Sequence, residues 1–383
     1  MKKVILYNGL SNIMLELIVW MIYLKNDGWS TAQIALLESI FTLGQVIFEF
    51  PTGIISDKIG HKLALLIGEG LSIFYLMMFF FAQQHVLIYC GLIAYALGLA
   101  FISGTDVSLL YESVPENEQK RYLKYSGYFN MVSILAVGIS NFIGGYLAKI
   151  SWHLLFIIAI IIRSLAFIVA LNINKEDFQG VSNENLSLKQ IFDDFKQFLI
   201  AKPYFIYLIL LMCTSSAAVT ISYQYGPLML KKFNLSVLMI SLIFGLVAIV
   251  AASVVSITYK LTKLIQENQL ALLLQTLCLV CFLSFIVKNV GLTVGGLIFI
   301  NIAFEIWNVI FETKTQNLAY ENIRATSVSA INLCESIILT IGSWIISLLG
   351  HYMMLNVIVG FLGGGLFIIS IASIIIFNKY VKE

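Results

Sequence analysis

Charged residues are scarce in this chain. Only 11% of its 383 residues are Asp, Glu, Lys or Arg, whereas 60% are hydrophobic. An average soluble domain carries about 25% charged residues. A soluble fold of this size would therefore have too little polar surface, and we predict that lipid surrounds most of the chain. The net charge of +2 gives no indication of a nucleic-acid partner.

Cysteine and proline are also scarce. The five cysteines are scattered through apolar stretches, which excludes a secreted disulfide scaffold and a zinc ribbon. Cys278 and Cys281 have a metal-binding spacing, but no other ligand type lies near them in their apolar segment. We therefore predict no metal site and no cofactor. Four prolines exclude a proline-rich fibrous chain.

Long apolar runs fill the sequence instead. A helix needs about 20 apolar residues to cross a hydrocarbon core of about 30 Å. Alternating ten-residue segments, the sign of transmembrane strands, are absent. We predict an all-α polytopic membrane protein with twelve transmembrane helices, at 4–24, 32–52, 63–82, 86–112, 127–148, 151–172, 204–230, 237–258, 270–287, 291–317, 326–349 and 351–378.

The distribution of basic residues predicts the orientation. With both termini in the cytoplasm, 17 of the 23 Lys and Arg residues fall on the cytoplasmic side, as the positive-inside rule requires. The longest connection, 173–203, is charged and divides the chain into six spans plus six. We predict an N-terminal bundle at 1–172, a cytoplasmic linker at 173–203 and a C-terminal bundle at 204–383.

A short motif lies between the second and third spans. It reads Gly53-Ile54-Ile55-Ser56-Asp57-Lys58-Ile59-Gly60-His61-Lys62. This resembles the signature loop of the major facilitator superfamily, G-x-x-x-D-[RK]-x-G-[RK]-[RK], with a departure at His61. Span count and central linker extend the resemblance over the whole chain. It implies the major facilitator fold, two six-helix bundles, and a loop that latches the bundles in one state. To that latch we assign Gly53, Asp57, Lys58, Gly60, Lys62 and Asp106.

A second motif lies in the fifth span. Drug-efflux-like members carry G-x8-G-x3-G-P-x2-G-G there. This chain has Gly127, Ala136, Ser140, Asn141, Gly144 and Gly145 at those spacings, so three glycines match and Asn141 replaces the proline. The small residues indicate either close helix packing in lipid or an antiporter hinge, and both alternatives stay open.

Acidic residues outnumber basic ones inside the predicted spans. The acids are Glu16, Glu38, Glu49, Glu69, Asp106, Glu112, Glu305, Glu312 and Glu335, and Arg163 is the one base well inside a span. Each central charge costs roughly 2.5–3.5 kcal/mol, so such residues indicate a pathway. For Arg163 we favour a structural ion pair with an acid of its own bundle. Glu16, Glu305 and Glu335 lie deepest and are the candidates for proton coupling or for binding a cationic substrate.

Two spans carry polar stripes. Asn8, Asn12 and Glu16 recur every four residues in the first span, and Asn301, Glu305, Asn308 and Glu312 recur at steps of four, three and four in the tenth. In the superfamily that this chain resembles, both spans line the central cavity. The stripes predict a lining for a water-filled path. The open alternative is a seam of hydrogen bonds between helices.

Aromatic residues accompany these stripes. Tyr223 and Gln224 in the seventh span and Trp307 in the tenth are candidates for the walls of a substrate site, where cation–π contact would hold a flat or cationic compound. Most other aromatic residues are expected to face lipid or the interfacial belts.

The resemblance and the residues together favour a secondary active transporter. We predict export of small amphipathic or cationic molecules in exchange for H⁺, by a monomer in a bacterial cell membrane, with Na⁺ as the alternative coupling ion. An importer, a symporter or a lipid-directed transporter of the same fold stays an alternative. A membrane-embedded transferase is a remote one, because the four histidines stand singly. The chain has no Gly-rich phosphate loop, which argues against ATP-driven transport.

Overall fold

The computed structural model describes residues 1–81, 85–103, 105–114, 122–173, 188–319 and 324–382. These residues form α-helices, and no strand occurs among them. The helices are α1 (Lys2–Ser11), α2 (Trp20–Asn26), α3 (Thr31–Ile59), α4 (His61–Phe80), α5 (His85–Ile102), α6 (Thr105–Glu112), α7 (Tyr122–Ile150), α8 (Trp152–Leu171), α9 (Leu188–Ala201), α10 (Tyr204–Lys231), α11 (Val237–Leu264), α12 (Glu267–Ser284), α13 (Val290–Leu318), α14 (Arg324–Leu349) and α15 (Leu355–Lys382).

Most of these helices are suited to a lipid solvent. Within the described ranges, ten are long and apolar enough to cross a membrane, and the apolar part of α11, Val237–Ala251, is shorter. The chain is therefore an all-helical, multi-span membrane protein. The full count of twelve spans and the side on which the termini lie stay predictions.

The predicted continuous helix over 4–24 is wrong. The structure has α1 and α2 with an interruption from Asn12 to Val19. The backbone amide of Met14 donates to the side chain of Ser140 at 3.1 Å, so it leaves the regular helical ladder. An alternative partner of this kind lets a membrane helix break without leaving a buried amide unsatisfied. The predicted fourth span corresponds to α5 and α6, which together form one candidate span at His85–Tyr111, and residue 104 between them lies outside the described residues.

The chain separates into two compact units. Unit 1 comprises Met1–Trp29, Leu36–Val181 and Leu235–Ala248, and unit 2 comprises Ser30–Ala35, Ser182–Asn234 and Ile249–Glu383. The predicted boundaries at 172 and 204 stay a prediction, and much of the predicted linker lies outside the described residues.

In unit 1, α4 packs against α5 and α8, and α1 packs against α7 and α8. Glycines bring α4 and α5 close together: a Cβ atom at Gly68 would lie 2.7 Å from the carbonyl oxygen of Gly98. Stacked rings of Tyr75 and Tyr95, with centroids 4.3 Å apart, fill the space beside this contact. Small residues at close helix contacts are the usual way to gain packing energy in lipid.

In unit 2, α10 packs against α13, α14 and α15, and α12 packs against α13 and α15. Phe282 and Phe367 form part of this core, with ring centroids 5.4 Å apart. A buried hydrogen bond of 3.0 Å from Ser370 to Gln275 connects α15 to α12. These contacts fix the helices that carry the polar residues described next.

Candidate functional site

The interruption between α1 and α2 carries Glu16. Its carbonyl oxygen accepts hydrogen bonds from the amides of Val19 at 2.9 Å and Trp20 at 2.8 Å, which start α2. Its side chain is only 3% exposed. Carboxylate oxygen Oε2 has no hydrogen-bond partner among the described residues. Glu16 is thus a buried acid with one carboxylate oxygen to which no described residue donates a hydrogen bond.

Helix α7 supports the interruption through small residues of the fifth-span motif. Ser140 accepts the hydrogen bond from Met14. At Gly144 the carbonyl of Leu15 approaches so closely that a Cβ atom would collide with it. Ser140 and Gly144 therefore serve close packing against the first span. Whether the motif also acts as a hinge stays a prediction.

Arg163 of α8 and Glu69 of α4 form a buried ion pair, with Nη1 of Arg163 3.2 Å from Oε2 of Glu69. Two hydroxyl groups of α1 complete the cluster, since Tyr7 donates to Oε1 of Glu69 at 3.0 Å and Ser11 donates to the same atom at 2.5 Å. Arg163 also donates to Ser11 at 3.0 Å. This network joins α1, α4 and α8 and occupies the one base that sequence analysis placed well inside a span.

The amides of the first polar stripe contact neighbouring groups. Asn8 donates to the carbonyl of Phe129 and to the hydroxyl of Ser133 on α7, both at 2.8 Å. Asn12 donates to the carbonyl of Asn8 at 2.9 Å. The predicted stripe is therefore a seam of hydrogen bonds over Asn8 and Asn12. It does not continue regularly to Glu16, because the helix ends before that residue.

Unit 2 contains a cavity of about 300 Å³ between α10, α13 and α14. Glu335 lies on this cavity, and its Oε1 accepts a hydrogen bond from Thr220 at 3.2 Å. Two residues of the second polar stripe, Asn308 and Glu312, share the lining. Both apolar and polar groups face the space: Met212, Ser216, Phe304, Asn308, Glu312, Thr315, Val328, Ile331, Asn332 and Glu335.

Other predicted residues of unit 2 do not line this cavity. Trp307 is completely buried, and its ring lies edge to face with Phe304 at 4.8 Å. Asn301 donates to the carbonyl of Leu297 on its own helix at 2.8 Å. Glu305 is half-buried beside them. Asn308 and Glu312 of the stripe thus line the cavity, and Asn301 and Glu305 do not.

Two further candidates, Tyr223 and Gln224, lie on α10 and are half-buried. The Oε1 atom of Gln224 is buried without a partner among the described residues. The structure does not bring these two side chains to the cavity of unit 2. Their role in holding a substrate stays a prediction.

The signature loop joins α3 to α4. Gly60 precedes α4 with a φ of 92°, in a region that favours glycine. Lys62 donates to the carbonyls of Leu171 and Ile173 at the end of α8, both at 2.6 Å. A cation at a helix C-terminus satisfies free carbonyls and complements the helix dipole. The contacts of Lys62 therefore fasten α4 to α8.

The structure shows fewer contacts for the other residues assigned to the latch. Gly53 and Lys58 lie exposed on α3, and the side chain of Asp57 lies outside the described residues. Asp106 accepts a 2.8 Å hydrogen bond from the amide of Val107 in the first turn of α6. An acid there suits the positive end of a helix dipole. The latch itself stays a prediction.

A family model decides what kind of protein this geometry belongs to. The model described as Major Facilitator Superfamily matches residues 4–343. The chain belongs to the major facilitator superfamily. Proteins of this family carry small molecules across membranes and are not enzymes.

Two relatives resemble parts of this major facilitator protein. It is 24% identical over 255 residues to the uncharacterized MFS-type transporter YxaM of Bacillus subtilis, over 65% of this chain and 63% of that protein. It is 30% identical over 154 residues to the quinolone resistance protein NorA of Staphylococcus aureus, over 39% of this chain and 38% of that protein. Both alignments thus cover less than two thirds of the relative.

Solved structures agree on the fold. The nucleoside transporter NupG superposes with a TM-score of 0.77 at 14% identity, over 98% of this chain and 97% of that one. A D-xylose-proton symporter gives a TM-score of 0.72 at 12% identity, over 96% of each chain. At such low identity, these likenesses show the shared major facilitator fold alone.

The structure of this major facilitator protein also adds features that sequence reasoning missed. Tyr7 and Ser11 stand one helical turn apart, and that spacing was the available signal that they share a face. Glu38 is only 3% exposed, and its Oε1 has no partner among the described residues. Its depth could be predicted from the sequence, whereas its isolation could not.

Proposed function

We propose that this protein is a secondary active transporter that exports small amphipathic or cationic compounds in exchange for protons. In this proposal a monomer crosses the bacterial cell membrane twelve times, with both termini in the cytoplasm. Its two six-helix bundles expose the substrate to one side and then to the other, as in alternating access.

Glu16 carries the proposal. It is buried, and one of its carboxylate oxygens lacks a partner among the described residues. The neighbouring buried base, Arg163, is bonded to Glu69. A buried carboxylate with an unpartnered oxygen is costly to keep charged away from water. Hydration of the Glu16 carboxyl group during transport would favour release of its proton. Glu16 would in this way take up and release one proton in each transport cycle.

The cavity of unit 2 supports an amphipathic or cationic substrate. Its volume of about 300 Å³ is at the lower end of small-molecule sites. Glu335 and Glu312 offer negative charge for a cationic group, and Phe304 and Met212 offer apolar surface for the rest of the molecule. The partial likeness to a quinolone resistance protein supports the outward direction.

The test uses purified protein in liposomes that contain a pH-sensitive dye, with a panel of cationic drugs added outside. We expect substrate-dependent proton movement in the wild type, loss of that movement in Glu16→Gln, and partial retention in Glu16→Asp. Glu38→Gln tests whether burial and an unpartnered oxygen are sufficient, because Glu38 shares both with Glu16 but lies within the continuous helix α3. It is expected to keep coupling.

Two results would contradict the proposal. Coupled transport that persists in Glu16→Gln would remove Glu16 as the carrier, and Glu305→Gln and Glu335→Gln would then be compared. Proton movement driven by sugars, nucleosides or peptides, without any response to cationic drugs, would support a symporter instead.

A further inference from the structure

A second cavity lies in unit 1, at the end where α2 and α4 finish and α8 begins. Its volume is about 640 Å³, within the usual range for small-molecule sites. It is separate from Glu16 and from the cavity of unit 2. Its lining is mostly aromatic, with one carboxylate: Tyr23, Asp27, Phe80, Phe81, Ser151, Trp152 and His153.

The rings on this cavity are fixed by contacts with one another. Tyr23 lies 5.2 Å from Trp152, measured between ring centroids, and its hydroxyl donates to the carbonyl of Phe79 at 3.2 Å. Phe80 lies edge to face with Phe81 at 4.8 Å and with His153 at 5.5 Å. The rings therefore come from three helix ends and form an ordered surface around the space.

Asp27 adds a negative charge to the same cavity. It follows Tyr23 by one helical turn, and its amide donates to the carbonyl of Tyr23 at 3.0 Å. The carboxylate is exposed. The nearby base Lys25 donates to the carbonyl of Trp29 at 3.2 Å, and no described Lys or Arg forms an ion pair with Asp27. The charge is thus available to a ligand.

An aromatic belt at the membrane interface would explain single exposed rings at this level. It does not explain a cluster of rings that line one open cavity together with a carboxylate that no described Lys or Arg pairs with. Aromatic faces attract cations, and cages of such rings recognise quaternary ammonium groups. We propose that this cavity, the Tyr23–Asp27–Trp152 site, binds a quaternary ammonium group, carried by a soluble organic cation or by a choline lipid.

The inference does not depend on the proposed function, because binding is measured without transport. The full chain is placed in nanodiscs of phosphatidylglycerol, which lacks a quaternary ammonium group and leaves both faces accessible. Choline is titrated at constant ionic strength, and tryptophan fluorescence is recorded. The matched probe is 3,3-dimethylbutan-1-ol, which has the same shape with carbon in place of the charged nitrogen.

We expect saturable fluorescence changes with choline. The neutral alcohol should bind more weakly, by a factor of about ten or more. Trp152→Phe should remove most of the signal. Asp27→Asn and Phe81→Leu should each weaken choline binding several-fold. Both residues are exposed, so these variants are expected to fold. The charge control is Glu267→Gln in unit 2, where binding should be unchanged.

Equal responses to choline and the alcohol would overturn the proposal, as would an Asp27→Asn variant that binds choline like the wild type. A second set of nanodiscs containing phosphatidylcholine identifies the source of the group. Weaker choline binding there shows that lipid headgroups occupy the site, and unchanged binding shows that the site takes the soluble cation.

Discussion

The buried ion pair of unit 1 allows a quantitative test of what holds this unit together. Replacing Glu69 by Gln keeps an amide oxygen to which Tyr7 and Ser11 can donate. It removes the charge opposite Arg163, a residue that is only 2% exposed. Breaking a buried pair in this way costs about 3–5 kcal/mol, a large share of the roughly 5–15 kcal/mol that stabilises a typical protein.

The two partners are not equivalent. A guanidinium group stays charged in proteins, whereas a carboxylate can take up a proton when its partner is lost. We therefore expect Arg163→Met to destabilise less than Glu69→Gln. The double variant Glu69→Gln/Arg163→Met removes both charges and keeps the acceptor for the two hydroxyls, so it should be more stable than Glu69→Gln alone.

Thermal unfolding in detergent, followed by tryptophan fluorescence, gives this comparison, since Trp20, Trp29 and Trp152 all lie in unit 1. The four proteins form a double-mutant cycle, whose interaction energy isolates the pair. If the double variant loses as much stability as the two single variants together, the ion pair does not couple α4 to α8, and the reasoning fails.

Glycine substitutions separate close packing from backbone conformation. Gly144→Ala should destabilise the protein by several kcal/mol, since its Cβ would meet the carbonyl of Leu15, whereas Gly138→Ala on the same helix meets no atom within 4 Å and should be neutral or better. Unfolding temperatures of the two variants decide this, and equal values would contradict the packing of α7 on the first span. In the signature loop, Gly60→Ala should cost about 1–3 kcal/mol, because φ is 92° and ψ is 143°, a conformation that other residues rarely adopt. Gly53→Ala has free space and should be tolerated. A Gly53→Ala variant that is the less stable of the two in the same assay would show that the loop's conformation is misassigned.

Hydropathy was sufficient to predict the class of fold and most helices. In lipid every backbone group must be satisfied within the segment, so an apolar run of about 20 residues has few alternatives to a helix. The run at 355–380 became one helix, α15, for this reason. The first span differed because its interruption depends on contacts with Ser140 and Gly144. The local sequence around Asn12 and Glu16 does not predict those contacts.

The candidate site was predicted less completely. Arg163 was recognised as an expensive buried base, but its partner Glu69 depends on the packing of α4 against α8, which spacing along the chain does not encode. Trp307 shows the same limit: it adjoins the polar stripe, yet its ring is completely buried and contacts Phe304, one turn earlier on the same helix. The sequence pattern predicts how deep a residue lies in the membrane and which helix face carries it. Tertiary packing decides which helix face lines a cavity.

The interruption of the first span also has a consequence for biosynthesis. The backbone amide of Met14 donates to the hydroxyl group of Ser140, a residue that the ribosome adds 126 residues later. Until α7 has entered the bilayer, the segment from Asn12 to Val19 lacks the hydroxyl group that satisfies the Met14 amide and stabilises the interruption. The span that contains α1 and α2 therefore reaches its final form only after α7, a later hydrophobic segment of unit 1, has joined it.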